Sequence, residues 1–363
     1  MKAMFMDKRK QLSAEHGIIY SEAADGFFRY FGWPSLVRGN DNRLYVAVSG
    51  FRHKHICPWG KTVMFTSCDE GKTWSMPQIV NDSLIDDRDA GLTTLPDGSM
   101  LLSWFTSDTR KLIPVPPEEM KGLLSSWDDD EVRRELGSFL RRRKKDGSWG
   151  KRIAVEVTSP HGPILLKNAN LLYLGSRFGV RNNAGELEFD MKKHFQRGLG
   201  CIVSNDNGEN WELRGCIPKP DNFEFAVEPH AIELKDGRIL GLVRIEKNQD
   251  THFEIWKTIS EDEGRTWSPM EPICGGSPPH ILRILGDILL CTYAQRIEPY
   301  GIHAMFSCDE GKTWDTDWKI RTDCSDSDLG YPSSVMLNDG FMLSVYYDQG
   351  TLCWSRWELP FQK

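Results

Sequence analysis

Four copies of one eight-residue turn constrain this chain more than any other feature. The pattern S-x-D-x-G-x-T-W runs from Ser67 to Trp74, from Ser260 to Trp267 and from Ser307 to Trp314. A fourth copy, Ser204 to Trp211, has Asn210 in place of Thr. Each copy follows a short hydrophobic run, so the chain is an array of like units, and repeats of about 40–50 residues point to a propeller or a solenoid. Within the turn, Asp and Ser/Thr side chains can bond the local backbone, Gly takes a positive φ and Trp packs between sheets. Asp69, Asp206, Asp262 and Asp309 are therefore read as scaffold, not as catalysts.

A second repeat sets the number of units. Hydrophobic strand, Asp-Gly or Asn turn, hydrophobic strand is a hairpin signal. It occurs from Pro34 to Val48 and again around Asp97-Gly98, Asn168, Asp236-Gly237, Gly286-Asp287 and Asp339-Gly340. Six hairpins predict an all-β, six-bladed β-propeller of four-stranded antiparallel blades, in one domain over residues 1–363. The boxes then fall between the third and fourth strands of blades one, three, four and five. Lys145-Asp146-Gly147-Ser148-Trp149 reads as a decayed box in blade two, and Gly17-Ile18-Ile19-Tyr20 as the outer strand of blade six, a closure that removes open sheet edges. Two insertions, about 111–146 and 178–198, break the rhythm. The first reads as helical, acidic at its start and basic at its end as a helix dipole favours. Surface elaboration, a contact in a homo-oligomer and a lid are the roles open to both.

Composition narrows the partners. A net charge of −7 and a pI near 5.8 argue against nucleic acid. No apolar run of about 18 residues predicts a spanning helix, and Met1 to Lys10 has no apolar core of the secretory kind. The nine Cys form no CxxC pair, which suits reduced buried thiols and a cytoplasmic setting over disulfides or zinc. No cofactor or metal is expected.

The strand order sorts the remaining polar residues. In a propeller the first strands of all blades begin at one end of the channel, and the second strands return to it. The predicted first-strand starts carry Trp33, Arg88-Asp89, His161, Glu228, His230, His280 and Tyr331, and the second strands end at Arg52-His53, Asp108, Arg177, Arg244, Arg296 and Asp348. Convergent Arg side chains bind carboxylate, sulfate or phosphate bidentately. The mouth is thus read as a pocket for an anionic ligand, with Arg244 and Arg296 foremost. Pairing of each Arg with acidic neighbours between blades is the structural alternative. His161, His230 and His280 show no metal-ligand spacing, and hydrogen bonding to sugar hydroxyls is the role preferred for them.

Repeated Asp-boxes on six blades resemble the sialidase (neuraminidase) superfamily over nearly the whole chain. Val227 to Arg244 resembles the segment in which a Glu precedes a pocket Arg by one hairpin. Arg296 resembles the third Arg of the carboxylate-binding triad, and Tyr331, in Gly-Tyr-Pro-Ser-Ser, the Tyr nucleophile. The resemblance implies that Glu228 polarises Tyr331, which attacks the anomeric carbon while an Asp serves as acid and base; Tyr avoids the repulsion a carboxylate nucleophile would meet from an anionic sugar. The chain departs from the family twice. Gly32-Trp33-Pro34 stands where sialidases have Arg-Ile-Pro, with Arg29 out of register, and Phe51 to Cys57 offers no carboxylate where the acid/base Asp belongs. Arg52 or Lys54 is then expected to reach the anion, and His53, His55 or Asp89 to transfer the proton.

The expected function is hydrolysis of a terminal acidic sugar, sialic or related, on an oligosaccharide or glycoconjugate. The expected catalytic residues are Tyr331, Glu228, Asp89 and His53. Arg244, Arg296, Arg52, Arg88, Arg177, His161, His230, His280 and Trp33 are expected to bind substrate. A lyase or hydrolase of uronic glycans, with Tyr and His as acid and base, and a non-catalytic glycan-binding propeller are the alternatives.

Overall fold

The computed structural model describes residues 10–361 apart from 24–25, 114, 191–196, 218, 222 and 247–252. The segment read for a leader lies outside the described residues except Lys10, as do 191–196 of the second insertion. Six sheets stand around a channel, a six-bladed propeller of four-stranded antiparallel blades. Blade one holds Tyr30–Arg38, Leu44–Arg52, Lys61–Ser67 and Gln78–Asn81; blade two holds Asp86–Thr94, Met100–Ser107, Ser138–Arg143 and Trp149–Val155. Blade three runs from Val157–Thr158 through Leu171–Arg177 and Leu199–Ser204 to Glu212–Ile217, with the short Ile164–Leu165 beside its second strand. Blade four comprises Phe225–Glu233, Ile239–Glu246, Phe253–Ser260 and Glu271–Gly275, and blade five Ser277–Ile284, Ile288–Gln295, Gly301–Ser307 and Asp315–Arg321. Blade six takes Leu329–Met336, Met342–Asp348 and Thr351–Trp357 from the end of the chain and Ala14–Tyr20 from its start.

Second strands are covered by a neighbouring blade on each face, so they are buried along their length instead of alternating. Ile239 to Ile245 is buried at every position, as is Ile288 to Ala294. The boxes sit at the ends of third strands, opposite the channel mouth. In blade one Ser67 Oγ accepts the Gly71 N–H at 2.9 Å, Asp69 Oδ1 the Thr73 N–H at 2.9 Å, Asp69 Oδ2 the Thr73 hydroxyl at 2.6 Å, and Gly71 O the Trp74 indole N–H at 3.1 Å. At roughly 0.5–1.5 kcal/mol net each, these bonds hold the turn. They consume the carboxylate, as the box chemistry requires.

First strands are tied to one another in a closed circuit. Leu92 N–H donates to Ser35 Oγ at 3.2 Å, Thr93 Oγ1 to Pro163 O, and Ser159 Oγ to Pro229 O. Ile281 N–H donates to His230 Nδ1 at 3.0 Å, Ser334 N–H to His280 Nδ1 at 3.3 Å, and Leu36 N–H to Ser333 Oγ at 2.9 Å. Each bond joins one blade to the next, and the sixth joins blade six to blade one.

The first insertion differs from its sequence reading. It forms two helices, α1 (Glu118–Ser126) and α2 (Asp129–Glu135), because Asp128 caps the backbone of Asp130 and Glu131 and starts a new helix. Ser138–Arg143 is the third strand of blade two, so Arg141 to Arg143 are strand residues and not a basic helix end. The helices bury Met120, Leu124, Trp127 and Val132 against Ile85. In the second insertion Gly179–Arg181 pairs with Leu187–Phe189 as a small hairpin. All nine cysteines are unpaired.

Candidate functional site

The mouth residues are aimed by one backbone device repeated around the ring. Near the start of five first strands one non-glycine residue takes a left-handed conformation: Trp33 (φ 58°), Asp89 (50°), His161 (70°), Glu228 (49°) and Tyr331 (55°). The pairing with the second strand slips at these points in blades one, two, four and six. Each bulge breaks the strand's alternation and re-aims one side chain. A left-handed L-residue costs roughly 1–2 kcal/mol, strain that concentrates at functional sites.

A pocket of about 230 Å³ opens there. Its lining includes the charged residues Arg88, Asp89, Glu228, Arg244, Glu246 and Arg296 and the Tyr331 phenol, together with the apolar Ile56, Phe105, Leu112 and Pro160. At its base the Tyr331 hydroxyl donates to Glu228 Oε1, and Arg244 Nη1 donates to Glu228 Oε2 at 2.7 Å and to Tyr331 Oη at 3.5 Å. Glu246, which the sequence reading passed over, takes the other arm of Arg244 at 2.6 Å. Burial, reinforced by the Glu228 and Asp89 carboxylates, pushes the Tyr331 phenol well above its ordinary pKa against the pull of Arg244 and Arg296. The phenol is therefore neutral at rest, with Glu228 placed to take its proton. Burial likewise pushes Asp89 up to about 7, with the Glu228 charge adding to it and Arg88 opposing. A carboxyl with its pKa raised toward neutrality beside the Tyr331–Glu228 pair is suited to proton transfer.

His55 is the histidine that lines the pocket. Its Nδ1 lies 3.0 Å from Asp328 Oδ1. Asp328 also accepts the Tyr30 hydroxyl at 2.9 Å and the Tyr347 hydroxyl at 3.1 Å. Burial works against the Asp328 carboxylate, but the bonds from His55, Tyr30 and Tyr347 outweigh it and its pKa lies below the usual range. Phe253 covers Arg244 at 4.2 Å and Arg296 at 5.6 Å. The sequence carried no signal for Asp328 or Phe253, because neither begins a first strand or ends a second one.

Six expected substrate-binding residues and one expected catalyst lie elsewhere. Arg52 is fully buried and clamps Asp86 at 2.5 and 2.8 Å, so its charge is spent between blades one and two. Arg177 packs beside Gly200 and Val157 and does not line the pocket. Trp33, 1% exposed, is sealed behind the wall, with Arg88 Cζ 4.3 Å and Arg52 Cζ 4.7 Å from its ring. His161, His230 and His280 pack on one another inside the channel, with ring centroids 4.8–5.4 Å apart. There His230 and His280 accept the blade-to-blade N–H groups through Nδ1, and none of the three lines the pocket. His53 stacks on Phe27 at 4.0 Å and faces Glu119 of α1 at 3.4 Å, away from the pocket. Among the described residues no three His, Cys, Asp or Glu side chains group so as to hold a metal ion.

Residues 184–345 match the BNR repeat-like domain family. No curated protein matches the chain in sequence. Among solved structures, a protein of unknown function from Dyadobacter fermentans superposes with a TM-score of 0.72 at 20% identity, covering 95% of this chain and 98% of that one. The NanB sialidase of Streptococcus pneumoniae gives 0.64 at 14% identity, over 95% of this chain and 71% of its own. An α-L-arabinanase of Penicillium chrysogenum gives 0.61 at 12%, over 96% and 99%. At these identities the likeness is one of fold, a propeller shared with glycoside hydrolases. Repeat family and fold both agree with the six-bladed propeller read from the sequence.

Proposed function

We propose that the protein is a glycoside hydrolase acting on a terminal acidic sugar, sialic or related, of an oligosaccharide or glycoconjugate. The observation that carries this reading is the Tyr331–Glu228–Arg244 contact at the base of a guanidinium-rich pocket. As the Tyr331 oxygen attacks the anomeric carbon, Glu228 takes the phenolic proton. The bond to the leaving oxygen breaks, and Asp89 supplies that oxygen with a proton. Water then attacks the tyrosyl glycoside, the Asp89 carboxylate takes the water's proton, and Glu228 returns its proton to Tyr331. A neutral nucleophile suits an anionic sugar, and each positioned proton transfer contributes on the order of 10²–10⁴-fold.

Aryl glycosides of sialic, other nonulosonic and uronic acids test the reading. Tyr331→Phe is expected to lower turnover of the cleaved one by at least about a hundredfold. Full turnover by that variant overturns the mechanism. One observation favours a second reading: His55, oriented by Asp328, lines the same pocket as Tyr331. That pair suits acid and base in β-elimination from a uronic glycan. A product absorbing in the near ultraviolet would select it over hydrolysis.

A further inference from the structure

His55 and Asp328 bridge the seam between blade one and blade six, with His55 Nδ1 3.0 Å from Asp328 Oδ1. Asp328 is fixed from several sides. Its carboxylate accepts the Tyr30 and Tyr347 hydroxyls, its N–H donates to Asp326 Oδ1 at 3.1 Å, and its carbonyl accepts the Gln349 N–H at 2.8 Å. An ionised carboxylate only accepts, so His55 Nδ1 carries the ring proton and Nε2 is left as a lone pair. Among the described residues the hydrogen bonds of this ring are all at Nδ1. Burial lowers the His55 pKa, with Asp328 opposing and the Arg88 and Arg52 charges adding to it, so the imidazole is neutral near pH 7. The ring stands edge-on to Trp33 with centroids 5.0 Å apart, and Trp33 lies 6.4 Å from the Tyr331 ring. One indole thus separates the imidazole from the nucleophile, and His55, Asp89 and Tyr331 line the same pocket. In the second step of the reaction Asp89 takes one proton of the attacking water. The other O–H needs an acceptor if the oxygen lone pair is to be aimed. Arg88, Arg244 and Arg296 can only donate, and Glu246 is taken by Arg244 at 2.6 Å. Neutral Nε2 is an acceptor committed to no protein group, and it adds no repulsion to an anionic sugar.

We infer that His55 Nε2 holds the water that hydrolyses the tyrosyl glycoside, and that Asp328, with Tyr30 and Tyr347, is the positioning residue for His55. The water oxygen bonds to the anomeric carbon as the bond to the Tyr331 oxygen breaks. Asp89 takes one water proton, Glu228 returns its proton to Tyr331, and the O–H held by His55 stays on the sugar as its new hydroxyl. His55 itself gains no proton. This role rests on the hydrolase reading above and deepens its second step.

Aryl glycosides of sialic acid and glucuronic acid test it, because a good leaving group makes the second step limit turnover. On whichever is cleaved, His55→Ala should lower kcat and KM together by about tenfold or more, with kcat/KM within about twofold of the parent. Mixed rapidly with substrate, the variant should release a burst of phenol and gain the mass of one glycosyl unit, a gain absent in Tyr331→Phe. His55→Gln, which keeps an acceptor, should recover part of the loss, and it carries the test where His55→Ala fails to fold. Asp328→Ala should move kcat and KM in the same way, whereas a merely structural role for either residue would lower kcat/KM as well. If kcat/KM falls with kcat, or if neither constant changes, the inference falls. A glycosyl unit on Tyr331 of the parent then leaves the hydrolase reading standing. A product absorbing in the near ultraviolet overturns both, since His55 would then act in an elimination. If neither glycoside is cleaved, both fall.

Discussion

Asp89 shows how one buried residue ties stability to chemistry. Its folded pKa, about 7, lies above the unfolded value of about 3.9. The native state therefore holds a proton that the unfolded chain has already released. No cost arises below pH 4; the cost grows from pH 4 to 7 and levels off at no more than about 4 kcal/mol. Asp89→Asn removes it, so the variant should melt higher than the parent at pH 8, with the gap closing toward pH 4. In the proposed mechanism the same substitution also removes the acid that protonates the leaving group. Parent turnover should fall above about pH 7, and the variant should lose turnover across the range. A pH series of melts and rates, parent against variant, checks both; a gap that does not depend on pH contradicts the assignment. Asp89, Glu228 and Tyr331 were legible because the strand order alone put them at the mouth. The side-chain directions were not. Trp33, Glu228 and Tyr331 each precede a proline, where an extended backbone is the usual outcome, yet all three are left-handed. Local propensity opposes the bulge that makes the site, and the ring imposes it.

At the scale of the element, the box does more than close a turn. Gly311, at φ 79°, lies against blade four, and a Cβ on it would sit 2.6 Å from Leu240 Cδ2. Beside it Glu310 takes Arg283 at 2.5 and 2.9 Å and the backbone N–H of Lys235 at 2.9 Å, so the blade-five box grips blade four. Blade one repeats the arrangement, with Glu70 taking Arg38 and the N–H of Asn338. Gly311→Ala should combine a left-handed penalty of roughly 1–2 kcal/mol with overlap on Leu240. A melting temperature several degrees lower, with kcat and KM unchanged, is the expected result, since the box is at the far end of the strands from the pocket. Loss of activity in the still-folded variant would contradict a scaffold role. The box turns were readable because their side chains bond within eight residues. The helical insertion was read less well, because its reading turned on a capping residue. The basic run Arg141 to Arg143 suited a helix end on charge alone, but pairing with Met100 to Leu102 makes it strand.

The molecule as a whole depends on closure, and the circuit of blade-to-blade hydrogen bonds between the first strands is where closure can be tested. Two of them end on imidazoles. His230 Nδ1 and His280 Nδ1 accept N–H groups of the next blade, which fixes the ring proton on Nε2. Protonating Nδ1 would turn each acceptor into a donor facing a donor. Burial lowers the pKa of His230 to about 4 and those of His161 and His280 well below the ordinary value. Because the folded values lie below the unfolded 6.5, the unfolded chain binds more protons in acid. The histidine contribution to stability is then complete above about pH 6.5 and declines as pH falls toward 4, at about 1.4 kcal/mol per pH unit for each imidazole. The three histidines were read in the sequence as ligand groups, and the structure places them inside the channel and not in the pocket lining. Their place beside the pocket residues is common to both roles, and only the depth of the channel separates them. His230→Asn keeps an acceptor for Ile281 N–H while removing one titrating group. Its melting temperature should fall modestly at pH 7.5, where packing against His280 is lost, but between pH 6.5 and 5 its stability should change less unfavourably than the parent's by about 1.4 kcal/mol per pH unit, the share of one imidazole. An equal drop in both would mean that the acid sensitivity of the ring lies elsewhere than in its histidine ties.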